Sequence, residues 1–199
     1  MIIMKNIDLE TTYTDMDYIQ NQINLFLSHV NIANVILKTF KDVEDNIHKM
    51  DILMQRCSKD GKIIGTYVDQ MIIKRLNETN INYRHGKDTT EKDCMCLNNK
   101  EFSFELKTSS RSTVPVGSKT NAGNVNNGTK YGGNDNYGFM IFCRYNFGET
   151  PDREICLIPK NIYIGMYKPS DFKSSKSNGS GSATIPAKIF HNQFIKIYG

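Results

Sequence analysis

Asp93-Cys94-Met95-Cys96-Leu97-Asn98-Asn99-Lys100-Glu101-Phe102-Ser103-Phe104-Glu105-Leu106-Lys107 is the stretch on which the fold turns. Residues 93–97 alternate in character, Asn98-Asn99 interrupts them, and residues 102–107 alternate again, which is the pattern of a β-hairpin. Side chains two apart on a strand share a face. Phe102, Phe104 and Leu106 therefore turn together towards a core, and Glu105 and Lys107 turn the other way, towards a cleft. A three-residue loop, Asn98-Asn99-Lys100, sets Asp93 opposite Glu105, with Cβ atoms roughly 4.5–5.5 Å apart. A two-residue turn would place Asp93 opposite Phe104 and split the carboxylates between faces. The expectation is an odd-length loop centred on Asn99. Two carboxylates so close repel each other unless a cation or a proton intervenes.

Outward from the hairpin, the chain of 199 residues reads as one domain: a helical part at 1–57, a core at 58–167, and a C-terminal polar loop and strand at 168–199. Ile19, Ile23, Phe26, Leu27, Val30, Val35 and Ile36 recur at helical spacing, with Thr14 or Asp15 as a cap. Val43, Ile47, Met50 and Met54 form a second helical segment. Ile64, Val68, Met71, Ile72 and Leu76 form a third, over 62–78. A short strand is expected at 81–84. Tyr137–Tyr145 is nearly all apolar and reads as a buried central strand. Residues 154–158 and 162–167 read as further strands, and Ile189–Tyr198 as one that closes the sheet. Residues 108–136 and 168–184 are long, polar and rich in Ser, Asn and Gly; such segments inside a domain are usually functional or mobile. Helices, then a hairpin, then strands indicate an α/β (α+β) fold with a central mixed sheet flanked by helices.

Composition narrows the classes. An apolar share of 39% is enough for a packed core and excludes global disorder. The net charge of +4 permits an anionic partner without requiring one. Five irregularly spaced cysteines, with no CxxC pair and no Cys/His quartet, argue against a zinc site and for reduced thiols in a cytoplasmic protein. The N-terminus lacks the apolar run of a signal peptide, and no run approaches the ~20 apolar residues of a membrane span.

Asp93, Glu105 and Lys107 carry the chemistry. Hydrolysis of a phosphodiester calls for a hard cation that polarises the phosphate and supplies hydroxide. Mg2+ takes one or two carboxylates and completes its shell with water. A nearby ammonium orients the attacking water or offsets the charge growing on phosphorus. The opposing reading is a solvated hairpin face with cross-strand ion pairs; spacing, strand parity and the adjoining polar loop favour the site.

Asp93, an eleven-residue gap, then Glu105-Leu106-Lys107 resembles the PD-(D/E)XK nuclease signature, although Lys92 stands where the motif's proline would be. The resemblance implies a restriction-endonuclease-like core. It also implies that Asp93 and Glu105 hold Mg2+ and that Lys107 acts at the water. Members often carry a further acidic residue on a preceding helix, and Asp69 is the candidate third metal ligand; an ordinary helix-flank carboxylate is the alternative. Glu105-Leu-Lys-Thr-Ser-Ser followed by a long polar loop is similar to type II restriction endonucleases. Ile164-Gly-Met-Tyr-Lys-Pro-Ser-Asp171 and the Gly-Ser-Gly-Ser-Ala after it resemble the C-terminal part of the ScaI group. The substrate so implied is double-stranded DNA, cut by a homodimer at a short sequence. Ser109, Arg111, Lys119, Asn121, Lys130, Asn134 and Lys173 are the candidate DNA-contacting residues, of types that bond phosphates and base edges. Two other readings are a repair or phage-processing nuclease without strict sequence specificity and a non-catalytic DNA-binding protein. Clustered carboxylates beside phosphate argue against the last. Ile162-Tyr-Ile-Gly lacks the partner motif of a GIY-YIG nuclease and reads as a strand end, His191-Asn-Gln lacks the partner histidines and metal ligands of an HNH site, and His29, His48 and His85 read as structural.

Overall fold

A computed structural model describes residues 16–49, 61–79, 81–87, 91–118, 137–149, 155–174 and 182–199. Helix α1, Met16–His29, buries Ile19, Ile23 and Phe26, a single stripe at helical spacing. Helix α2, Ile32–His48, buries Val35, Ile36, Phe40, Val43 and Ile47. The two helices meet at 57°. Their boundary falls at Val30-Asn31, earlier than the apolar spacing indicated, because the Asn31 side chain accepts from the Asn34 amide and starts a new helix. Helix α3, Gly61–Glu78, buries Ile64, Val68, Ile72, Ile73 and Leu76, as its stripe predicts. The expected cap at Thr14 or Asp15, and Met50 and Met54, lie outside the described residues. No single helix among the described residues is long and apolar enough to cross a membrane.

The main sheet has six strands: β1 (Tyr83–His85), β2 (Cys94–Cys96), β3 (Phe104–Ser109), β5 (Gly138–Glu149), β6 (Ile155–Tyr167) and β9 (Phe194–Tyr198), adjacent in that order. β3 and β5 run parallel and every other neighbouring pair antiparallel, so the sheet is mixed. Three short strands, β4 (Val116–Ser118), β7 (Lys173–Ser174) and β8 (Ser182–Thr184), form a second sheet in the order β4-β8-β7. It joins the two polar segments that the sequence left as loops.

Two expectations for the later strands are corrected. Residues 154–158 and 162–167 are not separate strands; 155–167 is one, β6. The pairing with β5 passes from Arg144–Asn161 to Tyr145–Pro159 and skips Lys160, a bulge placed next to the proline, which cannot donate to the ladder. Residues 189–198 are not all strand either: helix α4, Ala187–Gln193, precedes β9. Pro186 starts it, and Phe190 and Phe194, four apart, enter the same cluster.

The sheet is covered on both faces. On one face α1, α2 and α3 enclose a continuous core that runs from Ile19 to Met166 and includes Phe104, Leu106, Phe139 and Ile141. On the other face Met140, Phe142 and Tyr167 pack with Ile185, Phe190 and Phe194, beneath α4. In the β3–β5 register Glu105 sits beside Met140 and Lys107 beside Phe142. The period of two therefore places both polar side chains on the α4 face.

Candidate active site

The hairpin keeps the expected register: Cys94 pairs with Phe104, which brings Asp93 level with Glu105. Its loop is wider than three residues. β2 ends at Cys96, and a 3-10 turn, Lys100–Phe102, precedes β3. The Asn99 side chain caps that turn by accepting from the Glu101 amide. The cause is Phe102, which leaves the strand to pack edge-on against Phe26 and stack on His29, with ring centroids 6.0 and 4.5 Å away. Ser103 replaces the lost ladder contact: its hydroxyl accepts from the Cys96 amide at 3.0 Å.

Asp93, Glu105 and Lys107 meet. The Lys107 Nζ donates to Asp93 Oδ2 at 3.0 Å and to Glu105 Oε1 at 2.6 Å. Asp93 Oδ2 also accepts the Leu106 amide at 3.0 Å, so the carboxylate is inserted where a strand partner would bond. Glu105 is only 1% exposed and lies at the bottom of the site, whereas the Lys107 and Asp93 side chains above it keep partial contact with solvent. Burial alone would lower the Lys107 pKa, but Glu105 and Asp93 outweigh it and hold the ammonium well above its ordinary range. Lys107 is therefore a permanent donor at neutral pH.

Asp69, on α3, belongs to the same electrostatic unit. Burial first, then repulsion from Asp93 and Glu105, pushes its pKa from 3.8 to about 8, against a smaller opposing pull from Lys107. The helix comes this near because Gly65, one turn earlier, faces Thr108 of β3: a Cβ there would lie 3.1 Å from the Thr108 hydroxyl. Beneath the cluster, the buried Cys94 thiol is held well above its ordinary pKa by burial and by the charges of Asp69, Asp93 and Glu105. Among the described residues, no three acidic, histidine or cysteine side chains form a ready-made metal cage. The Lys107 ammonium occupies the position between the two principal carboxylates.

A family model, ScaI restriction endonuclease, matches residues 13–198. The chain belongs to that family. No curated protein and no solved structure matches it significantly. It is thus a ScaI-like type II restriction endonuclease, and the mixed sheet flanked by helices is the restriction-endonuclease-like core expected of it.

The DNA-contact candidates of this ScaI-family chain are distributed unevenly. Ser109 ends β3, and its hydroxyl accepts from the Arg111 and Ser112 amides, so it shapes the turn out of the strand that carries Glu105 and Lys107. Arg111 is exposed just beyond it. Lys173, exposed on β7, bonds the Ser170 carbonyl at 2.8 Å. Lys119, Asn121, Lys130 and Asn134 lie outside the described residues.

Two side-chain contacts flank Asp93. Arg84 of β1 grips Glu91 through two 2.6 Å hydrogen bonds, and Glu91 also accepts the Lys87 amide. The Arg84 guanidinium holds the Glu91 carboxyl down at about 2. Lys92 turns inward and donates to the Ser103 carbonyl at 2.9 Å; burial draws its pKa down to about 8. Lys92 adjoins Asp93 in sequence, but its partner Ser103 and the pairing of Arg84 with Glu91 are set only by the folded chain.

Proposed function

We propose that the chain hydrolyses double-stranded DNA at a short specific sequence, with Mg2+, by the PD-(D/E)XK mechanism, using Asp93, Glu105 and Lys107. The observation that carries this reading is the Lys107 ammonium straddling Asp93 and Glu105 on one face of the hairpin. The donor set suits a hard cation. Two carboxylates with water completing the shell meet the preference of Mg2+, so a full protein cage is not required. Burial is the larger cause of the raised pKa of Asp69, but the charges of Asp93 and Glu105 add to it, and a divalent cation bound beside them would offset that repulsion. Asp69 is proposed as the third, outer ligand. Bound there, Mg2+ would polarise the scissile phosphate and acidify a water.

The residues themselves do the remaining work. Glu105, fixed on a central strand and walled by Met140, presents its carboxylate from a rigid floor. Asp93 is aimed by the Leu106 amide. Lys107 cannot serve as a base while it stays protonated. Its role is to donate: it orients the attacking water and stabilises negative charge on the phosphate oxygens. Arg111 and Lys173 flank the exit of β3 and the small sheet, where they would meet the DNA backbone or base edges. Cutting both strands of a symmetric site favours a homodimer.

The test is incubation of the purified protein with plasmid and genomic DNA, with Mg2+ or with EDTA. Discrete fragments that vanish with EDTA are expected. A smear would point instead to a nuclease without sequence specificity. Full activity in Glu105→Ala or Lys107→Ala would overturn the site assignment.

A further inference from the structure

The strand that carries Asp93 is weakly tied to its neighbour. Only Cys94 pairs with β3 in the ladder, and Asp93 lies just outside β2. The work of fixing it falls to side chains, and these converge on Ser103, which is almost fully buried. The Ser103 hydroxyl takes the Cys96 amide, and its carbonyl takes the Lys92 ammonium at 2.9 Å. On the other side, the Gly86 amide donates to the Asp93 carbonyl and Arg84 grips Glu91.

We propose that Lys92 is a positioning residue for Asp93: its ammonium, seated beside Gly138 and bonded to the Ser103 carbonyl, fixes the segment that presents the Asp93 carboxylate to Glu105 and Lys107. Gly138, at the start of β5, supplies the room. A Cβ there would lie 2.7 Å from the Lys92 Nζ and 2.9 Å from its Cε, and would meet no other atom within 4 Å. The backbone of β5 and the Lys92 side chain are thus fitted to each other. A lysine anchored across to the neighbouring strand restrains the chain where a proline before the acidic residue would have stiffened it locally. Its carbonyl acceptor lies two residues before Glu105, so one contact ties the Asp93 segment directly to the strand of the second carboxylate.

The inference deepens the metal-site reading, and its test separates the two. The Leu106 amide, which donates to Asp93 Oδ2, reports the position of that carboxylate with no metal added. Hydrogen exchange at Leu106, read by NMR, and Mn2+ binding, read by calorimetry without DNA, are measured for wild type, Lys92→Met and Gly138→Ala. Gly138→Ala keeps the lysine charge and displaces only its head group, which also guards against failure of Lys92→Met to fold. Both variants are expected to exchange Leu106 faster and to bind Mn2+ about tenfold more weakly, the usual effect of losing a contact that orients a metal ligand. A merely nearby positive charge predicts the reverse for Lys92→Met, since removing it would tighten cation binding. Wild-type exchange at Leu106 in either variant overturns the inference, as does wild-type or tighter Mn2+ binding in either. If wild type itself binds no Mn2+, the metal reading fails, and the exchange data alone decide the role of Lys92.

Discussion

Asp69→Asn should stabilise the metal-free protein at pH 8 while removing the carboxyl proposed as the outer metal ligand. In the folded chain the Asp69 pKa stands at about 8 rather than 3.8. The folded state therefore holds this proton more tightly than the unfolded chain does. The sign follows from that: the contribution of Asp69 to stability is complete below about pH 4 and is lost as pH rises to about 8. A shift of about four pKa units corresponds to a ceiling of about 6 kcal/mol at about 1.4 kcal/mol per unit. Asp69 keeps some contact with water, which eases the desolvation and screens the smaller repulsion, so a realistic penalty is about 2–3 kcal/mol. Asn cannot ionise and avoids the penalty. Thermal unfolding should then show Asp69→Asn melting about 5–10 °C above wild type at pH 8. The curves should converge near pH 4. On the proposal that Asp69 is the outer metal ligand, Mn2+ should close the pH 8 gap from the wild-type side, because only wild type carries that carboxylate. An offset that stays constant from pH 4 to pH 8, or no offset at all, would refute the account of Asp69 as a carboxyl whose charge is disfavoured by burial and by Asp93 and Glu105.

Three further outcomes are expected. Lys107→Met should cut plasmid cleavage at least about a hundredfold while calorimetry shows Mn2+ binding unchanged or tighter, because the ammonium no longer engages the carboxylate oxygens. Phe26→Ala should cost about 3–5 kcal/mol in denaturant unfolding. Its ring touches Phe102, Phe104 and Phe139 and so supports the strand that carries Glu105. Arg111→Ala and Lys173→Ala should each weaken DNA binding and lower the slope of log affinity against log salt by about one, if each contacts one phosphate.

The parts legible in the sequence were those set by local periodicity. Glu105 and Lys107 share a face because they are two apart, and the odd loop placed Asp93 level with Glu105; the observed Cys94–Phe104 pairing agrees. The apolar stripe of α3 fixed that helix and left Asp69 at its flank. Features set by contacts between distant segments were not legible. The continuity of β6 through Pro159 depends on a bulge against β5. The helix at 187–193 competes with a strand pattern, and packing of Phe190 against Phe142 decides it. Phe102 reads as a strand residue until Phe26 and His29 draw it into a turn.

The same division runs through the hairpin itself. The sequence alone determined on which face Glu105 and Lys107 stand and that Asp93 comes level with Glu105, because strand geometry repeats every two residues whatever surrounds it. Tertiary structure decided their electrostatic state. Burial of Glu105 beside Met140, the approach of α3 over Gly65 and the seating of Lys92 against Gly138 each join segments far apart in the chain. Proton affinities depend on distance and burial, which are properties of the folded arrangement and have no counterpart in the order of residues.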